Sequence, residues 1–437
     1  MLLWIFLTAL FKNYLFLLDF SRLMRVPCVK CKGDNPRLYC GRDFCPIYVK
    51  SQAMFKVKPF LERKDFSGSS PTPFVGRFGY PNISVGLLSL PNLNDDAWLY
   101  DAPAYWADNN YSIPDLVGMR SSLINSRFSS NVCEARRASR MLGLSQEVGM
   151  ASKPVDIDVS LEAVPKFRWR LDPFLAPMGP NARLEGLKLA SNPKVPVHVD
   201  KVVSDTDLRA SDALSYLRRH GYDETYMTRM LSVGTLGIGK DRRLVPTRWS
   251  ITAVDDTLAK QIHRRVIDLP CADFQSYFGG YLGNYFLILF FPDVWSYELF
   301  ETYLPNASWN LSSDFQYTTD YEPFSGRKTY AENCGGGYYA SRLPVLEKLD
   351  SIGRQASVLA LRFITGEYSV PLGVWVVREA VRKALSEKPI VFSDRDLMFK
   401  YALSLVRKKF GYNLQCILRK SVVMKRMMTQ AKLTDFA

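Results

Sequence analysis

The sequence predicts an α+β protein with two mixed domains, and three observations support this fold class. The chain has 437 residues, of which 47% are hydrophobic, so it can bury a sizeable core in two domains. Helix-type and strand-type patterns alternate along its middle part. Four of the eight cysteines lie close together near the N-terminus, which indicates a small appended module. We place the boundary between the domains in a polar segment, so that they cover residues 51–305 and 306–425.

Residues 1–23 form an apolar leader that is interrupted by Lys12, Asn13 and Asp19. The leader has no basic start and no small-residue cleavage site, unlike a signal peptide. Each apolar run is shorter than the ~20 residues that a membrane-spanning helix needs. We therefore expect the protein to start at Met24 and to be cytoplasmic, with membrane attachment unlikely and kept only as the alternative.

Residues 24–50 contain the cysteine cluster, with Cys28 and Cys31 spaced C-x2-C, and Cys40 and Cys45 spaced C-x4-C. Four thiolates on two short loops suit a tetrahedral Zn²⁺ ion. The other cysteines are scattered singly, unlike the disulfide framework of a secreted module. We predict a zinc knuckle, with two disulfides or iron–sulfur ligation as the alternatives.

The charge balance puts polyanions first among the candidate partners. There are 57 Lys and Arg residues against 43 Asp and Glu residues, which gives a net charge of +14. Such an excess favours nucleic acid or an anionic membrane surface as partner. Only three histidines occur, so a His-rich catalytic metal centre is not expected.

The residue patterns predict the following elements between the two ends of the chain. Strand patterns occur at residues 195–200, 245–252, 285–291 and 357–363. Helix patterns occur between Ser204 and Gly221, and at residues 223–231, 253–265, 373–385 and 393–408. In the helix at 373–385 we expect Arg378, Glu379, Arg382 and Lys383 to face solvent.

Catalytic residues are not defined by any specific motif, and only weak candidates arise. Arg77 lies in the Gly76-Arg-Phe-Gly79 run, where the backbone could approach a ligand. Arg248 precedes Asp255 and Asp256, the one tight carboxylate pair in its segment; an ordinary role for these aspartates is to complement the dipole in the first turn of a helix. Gly234 to Lys240 resembles a phosphate-binding loop, but Asp241 replaces the required hydroxyl residue.

The last eight residues, 430–437, match a sliding-clamp peptide in which Gln430, Leu433 and Phe436 are the anchor positions. One 3₁₀ turn would place Leu433 and Phe436 on one face, ready to fill a hydrophobic pocket. We expect this tail to be a flexible peptide. The chain ends on a single aromatic followed by Ala437, where a full clamp peptide has two aromatics.

Several motifs in a specific order resemble the archaeal Nre family of DNA-repair proteins. They are the cysteine cluster, the run from Ser70 to Pro81, Gly336-Gly-Tyr-Tyr-Ala340, Leu372-Gly-Val-Trp-Val-Val-Arg-Glu379 and the terminal peptide. The resemblance covers residues 24–437. It implies a DNA-repair role with recruitment through the PCNA sliding clamp. The alternative is a DNA-processing enzyme whose site contains Arg77, Arg120, Arg248, Asp255 and Asp256, so enzymatic activity is left open.

Overall fold

The computed structural model describes residues 35–40, 44–60, 62–165, 177–305, 307–310 and 312–429, which form helices around two six-stranded sheets. The strands are β1 (Asp65–Ser70), β2 (Thr72–Val75), β3 (Asn82–Ser89), β4 (Ile124–Asn131), β5 (Val155–Leu161), β6 (Asn181–Leu189), β7 (Phe274–Tyr281), β8 (Asn284–Phe291), β9 (Ser296–Tyr303), β10 (Gln316–Glu322), β11 (Ser357–Ile364) and β12 (Ile390–Phe392). Two mixed sheets packed with helices confirm the predicted α+β class.

Helices lie before the first strand, after the last strand and between strands of each sheet. They are α1 (Pro36–Cys40), α2 (Pro46–Val57), α3 (Pro103–Asp108), α4 (Ile113–Ser122), α5 (Arg140–Met150), α6 (Val197–Ser204), α7 (Ala210–Arg219), α8 (Glu224–Ser232), α9 (Thr247–Val266), α10 (Gly336–Ser351), α11 (Trp375–Ser386), α12 (Arg395–Phe410), α13 (Gln415–Leu418) and α14 (Val422–Thr429). The helices predicted at residues 223–231, 253–265, 373–385 and 393–408 are confirmed to within a few residues, the second as part of the longer α9.

The first sheet has the strand order β1-β5-β6-β4-β3-β2. Its pairs are antiparallel except for β4 and β6, which are parallel. In β5 the alternate residues Val155, Ile157, Val159 and Leu161 are buried, as expected for a strand with one face on a core. Helix α5 covers this face through Val148.

The second sheet has the order β10-β9-β11-β8-β7-β12, with only β9 and β11 parallel. Both faces are covered. Phe286, Ile288 and Phe290 of β8 join the core beneath α7 to α11, whereas Leu287 and Leu289 join the core beneath α12. Burial on both faces explains why β8 and β11 read as continuous apolar runs, and it confirms the strands predicted at 285–291 and 357–363.

The predicted domain boundary after residue 305 falls inside this second sheet. β9 ends at Tyr303, and its antiparallel neighbour β10 begins at Gln316, so the sheet takes strands from both predicted domains. The segment at 306–329 is polar partly because β10 is an edge strand whose side chains are largely half-exposed. The polar composition here marks a sheet edge as well as a connection.

Two predicted strands are helical in the structure, and each helix follows a proline. The strand predicted at 195–200 is replaced by α6, which follows Pro196. The strand predicted at 245–252 is replaced by the first turns of α9, which follow Pro246. Buried residues recur at helical spacing, at Val199 and Val202 in the first case, and this packing outweighs the β-propensity of the valines.

The helix predicted between Ser204 and Gly221 begins later than expected, and Ser204 does not cap it. Ser204 is the last residue of α6, and α7 begins at Ala210. The Asp205 carboxylate instead accepts hydrogen bonds from the backbone N–H groups of Asp207 and Leu208, both at 3.0 Å. The polar residues here stabilise the turn between two helices.

The zinc knuckle and the clamp peptide lie mostly outside the described residues, and both stay predictions. The leader (1–23), Cys28, Cys31 and the tail 430–437 all belong to the undescribed part of the chain. Cys40 ends α1 and Cys45 precedes α2 as a free thiol. In the ranges given above, no group of three His, Cys, Asp or Glu residues is arranged to hold a metal ion. Within the same ranges no helix is long and apolar enough to cross a membrane.

Candidate nucleic-acid interface

Three segments that are distant in sequence form one continuous surface. The Val132 N–H donates to the Pro81 carbonyl at 3.0 Å, and the Leu244 N–H donates to the Val132 carbonyl at 2.9 Å. The Val75 N–H donates to Thr247 Oγ1 at 2.9 Å, which fixes the start of α9 beside β2. The loop after β2, the 3₁₀ turn Val132–Arg136 and residues 239–249 are therefore neighbours.

Three large aromatic side chains are exposed on this surface. Phe78 is 72% exposed, Trp249 47% and Tyr80 45%. The Tyr80 and Trp249 rings lie 6.3 Å apart, centroid to centroid, at an interplanar angle of 45°. Exposed rings that share one surface are more informative than scattered ones, because such a group marks a binding site.

Basic side chains lie on the same neighbouring segments as the rings. Arg136, Arg137, Lys240, Arg243 and Arg248 are exposed, and none of them forms an ion pair with another residue that the structure describes. The Arg77 guanidinium lies 4.9 Å from the centroid of the Phe78 ring. We call this set the aromatic–basic surface; its members are Arg77, Phe78, Tyr80, Arg136, Arg137, Lys240, Arg243, Arg248 and Trp249.

A groove of about 620 Å³ runs beside the 3₁₀ turn in this surface and is lined by Arg136, Arg137 and Lys240. One carboxylate, that of Glu134, also faces the groove and accepts a hydrogen bond from Ser130 Oγ at 2.7 Å. Because the three cations have no carboxylate partner among the described residues, they are available to an anionic ligand.

Glycine conformations shape the loop that carries two of the rings. Gly79 has φ +86°, and a Cβ atom there would lie 2.7 Å from the Asn82 carbonyl oxygen. Only glycine fits such a position without strain. The Gly79 carbonyl accepts a hydrogen bond from the Asn82 N–H at 2.9 Å, and this turn carries Tyr80 beside the Trp249 ring.

The five residues predicted as an alternative catalytic site are not brought together. Arg77 and Arg248 lie on the aromatic–basic surface. Arg120 instead pairs with Asp101 at 3.1 Å. Asp255 and Asp256 lie in the third turn of α9, not in the first turn as predicted, because the helix begins at Thr247. Their side chains point into different surroundings, since Asp255 is fully buried and Asp256 pairs with Lys260 at 2.6 Å.

Asp255 belongs to a buried network of charges between α8, α9, α10 and α11. Its carboxylate accepts a hydrogen bond from Arg378 Nη1 at 2.5 Å. Glu224 at the start of α8 accepts hydrogen bonds from Arg382 at 2.7 Å and from Arg218 at 3.0 Å. Arg378 and Glu379 are 3% and 5% exposed, so the prediction that they face solvent is wrong.

The network shifts the pKa values of its carboxyl groups in opposite directions. Burial raises the pKa of Asp255 to about 6, although Arg378 opposes the shift. Burial also acts to raise the pKa of Glu224, but Arg378 and Arg382 outweigh it and lower the pKa to about 2. Stability from Glu224 is therefore fully present above its unfolded value of 4.5, whereas the Asp255 carboxyl favours folding when protonated.

Cys334 stands at the Gly-rich start of α10 but is unsuited to nucleophilic chemistry. The thiol is buried, and its Sγ lies 3.7 Å from the Thr318 hydroxyl. Burial raises the pKa of Cys334 well above its ordinary value, with Glu301 adding to the shift. The thiolate form is therefore suppressed.

Arg77 and Arg248 were predicted from the sequence as candidate site residues, but the aromatic residues beside them were not. Phe78 and Tyr80 lie in the same glycine-rich segment as Arg77, and Trp249 follows Arg248 directly. An aromatic residue next to an arginine in a Gly- or Pro-punctuated segment is the signal that could have found them. The Arg136-Arg137 pair gave no signal beyond its charge, whereas Lys240 ends the segment that resembles a phosphate-binding loop.

The fold and this surface define an α+β protein built on two mixed six-stranded sheets, which presents exposed rings and exposed cations on neighbouring segments. Two family profiles match the sequence, "Archaeal Nre, N-terminal" over residues 39–310 and "Archaeal Nre, C-terminal" over residues 322–436. The chain belongs to the archaeal Nre family, as its motifs indicated.

Three curated relatives are similar over most of their length. The DNA repair protein NreA of Archaeoglobus fulgidus is 38% identical over 86% of this chain and 92% of its own length. The DNA repair protein NreB of the same organism is 36% identical over 91% of this chain and 97% of its own. The DNA repair protein NreA of Haloferax volcanii is 39% identical over 73% and 77%. The comparison with solved structures gave no match.

Proposed function

We propose that this protein acts in DNA repair and binds DNA through the aromatic–basic surface. The relatives at 36–39% identity are named DNA repair proteins, which supports the repair role. The observation that carries the binding site is the exposure of Phe78, Tyr80 and Trp249 on segments that also carry five exposed cations without an ion pair to a described residue, namely Arg136, Arg137, Lys240, Arg243 and Arg248.

The rings favour DNA with unpaired bases as the ligand. In a duplex the faces of the bases are stacked on each other and cannot reach a protein side chain. In a single strand each base offers a face to an aromatic ring, and such stacking tolerates any sequence. The cations around the groove would contact the phosphates, which adds affinity that depends on salt.

The first test is the binding of a labelled single-stranded oligonucleotide to the Arg136→Ala/Arg137→Ala variant, followed by fluorescence anisotropy over a range of salt concentrations. Removal of two phosphate contacts should lower the slope of log affinity against log salt by about 1.4, since each contact on a single strand contributes roughly 0.7. The matched control is Lys188→Ala/Arg183→Ala, which removes two exposed cations from β6 in the first sheet. An unchanged slope and affinity in the Arg136/Arg137 variant would count against this surface.

We also propose recruitment through the PCNA clamp by Gln430, Leu433 and Phe436, and a zinc ion bound by Cys28, Cys31, Cys40 and Cys45. The clamp motif begins directly after α14, which ends at Thr429. Spacing and composition at the two ends of the chain support both assignments.

The clamp proposal is tested by calorimetric titration of PCNA with the full chain and with a variant that lacks residues 430–437. We expect heat of binding only with the intact tail, because Leu433 and Phe436 are the anchor residues of the peptide. The Gln430→Ala/Leu433→Ala/Phe436→Ala variant of the full chain is the matched control for chain length and should also be silent. Equal heat from the chain without its tail would show that the clamp binds elsewhere. No heat from the intact chain would show that the clamp does not bind.

A further inference from the structure

A second concave site lies on α9, beyond the aromatic–basic surface. It is a cavity of about 180 Å³ between α9, α10 and the loop that joins β10 to α10. Asp256 and Lys260 line it from α9, Tyr339 and Arg342 from α10, and Lys328 and Tyr330 from the loop. None of these residues belongs to the aromatic–basic surface.

Arg342 is the most unusual group in the cavity wall. The residue is only 2% exposed, and its Nε–H donates to Glu322 Oε1 at 2.7 Å. The same carboxylate oxygen accepts a hydrogen bond from Trp295 Nε1 at 2.9 Å, so the guanidinium is held in one orientation. Neither Nη1 nor Nη2 donates a hydrogen bond to any other described residue. A buried guanidinium whose terminal nitrogens lack acceptors is costly unless a ligand completes it.

The carboxylate nearest to the free end of Arg342 does not satisfy it. Asp256 Oδ1 lies 3.9 Å from Nη1, beyond hydrogen-bond distance, and Asp256 Oδ2 is held by Lys260 at 2.6 Å. The loop passes close to the other nitrogen at Gly326, where a Cβ atom would lie 3.8 Å from Nη2. Nη1 therefore lies on the Asp256 side of the cavity wall, and Nη2 lies beside the loop at Gly326.

The rest of the cavity is positive and partly aromatic. Lys328 is exposed at the rim and forms no ion pair with a described residue. Arg327 is used to hold the loop, since it pairs with Asp320 at 3.0 Å. The Tyr330 and Tyr339 rings stack at 5.4 Å and form one wall. Despite its burial, the neighbouring Glu322 holds the pKa of Arg342 above its ordinary value, so this group stays charged.

We propose that this cavity is a phosphate-binding site, in which the Nη1 and Nη2 atoms of Arg342 bind two phosphate oxygens and Lys328 closes the rim. A planar guanidinium with two free donors matches a phosphate in bidentate geometry. This site does not depend on the proposed binding of DNA, because titration with inorganic phosphate alone can detect it.

Two sources of the phosphate share this chemistry, a DNA strand that ends in a phosphomonoester and free phosphate. The position on α9 connects the cavity to the proposed DNA surface. Trp249 and Asp256 are seven positions apart, about two turns, so they lie on one side of α9 and are separated by roughly 10.5 Å along its axis. A strand stacked on Trp249 could thus place its end in the cavity.

The experiment is calorimetric titration of the full chain with inorganic phosphate, at an ionic strength held constant with chloride. The Lys328→Ala variant should bind about two- to fivefold more weakly, as for an exposed charge contact. Arg342→Lys keeps the charge but loses the bidentate contact and should bind roughly 10- to 150-fold more weakly. Lys388→Ala removes an exposed lysine after α11 and is the matched control for net charge.

Asp256→Asn decides between a phosphate and a ligand with amino groups. Removal of this carboxylate should tighten phosphate binding by about two- to fivefold, because it removes repulsion. Weaker binding in Asp256→Asn would overturn the proposal. So would the absence of phosphate-specific heat in the wild-type chain, and this failure would leave the proposed DNA surface untouched.

A second pair of titrations uses a single-stranded oligonucleotide with a 5′-phosphate or a 5′-hydroxyl. Tighter binding of the phosphorylated strand, lost in Lys328→Ala, assigns the site to DNA ends. Equal binding of the two strands, together with binding of inorganic phosphate, assigns it to free phosphate. If Arg342→Lys fails to fold, as judged by its unfolding transition, Lys328→Ala and Asp256→Asn still test the proposal by their opposite signs.

Discussion

We expect Glu224→Gln to lower the free energy of unfolding by about 3–5 kcal/mol, the cost of breaking a buried ion pair by neutralising one partner. The Glu224 side chain is 5% exposed and lies within 4 Å of three guanidinium groups, those of Arg218, Arg378 and Arg382. The amide of glutamine fills the same volume but cannot balance these charges. Chemical denaturation monitored by tryptophan fluorescence measures the loss.

The matched control is Glu387→Gln, which makes the same chemical change at the exposed residue just after α11. It should alter stability by no more than about 0.5 kcal/mol. The pH dependence gives a second check. Because the pKa of Glu224 is lowered from 4.5 to about 2, its stabilisation is complete above pH 4.5 and is lost as the pH falls towards 2. A Glu224→Gln variant as stable as Glu387→Gln would show that the network contributes little.

Trp249→Ala should weaken the binding of single-stranded DNA by about 5- to 150-fold, since stacking on one aromatic ring contributes roughly 1–3 kcal/mol. The salt dependence should stay unchanged, because no phosphate contact is lost. Trp249 is 47% exposed and belongs to none of the buried cores of the described residues, so the variant should fold. Fluorescence anisotropy at several salt concentrations separates this effect from that of the arginines.

Trp98→Ala is the control for the loss of an exposed tryptophan. Trp98 is 41% exposed and lies in the 3₁₀ segment Ala97–Asp101, against Tyr105, outside the aromatic–basic surface. Its affinity for DNA should equal that of the wild type. An equal loss in both variants would indicate a general effect on folding instead of a stacking contact.

The second sheet could be predicted in part from sequence because its burial pattern is local. The apolar runs of β8 and β11 report burial on both faces directly, and α11 carries a helical stripe of valines. In contrast, Arg378 and Glu379 were expected to face solvent. The partners of Arg378, which are Asp255 and Glu224, are more than a hundred residues away, and no local pattern reveals which charged side chains will pair in a core.

The aromatic–basic surface was predictable only in fragments. Arg77 and Arg248 could be singled out, but the sequence does not show that Thr247 bonds to Val75 and so brings them together. The start of α9 was missed because Thr247, Ile251 and Thr252 favour a strand when taken alone. Pro246 and the packing of Ser250 and Val254 against the core decide for a helix. Residues that meet through tertiary contacts need the fold before they can be grouped.

The most direct test of the central claim is photo-crosslinking of the full chain to a single-stranded oligonucleotide that carries bromodeoxyuridine, with the crosslinked residues identified by mass spectrometry. If DNA lies on the aromatic–basic surface, the crosslinks will map to Phe78, Tyr80 or Trp249, and they will fall with rising salt as the phosphate contacts weaken. Crosslinks confined to other parts of the chain, such as α12 or β6, would contradict the account.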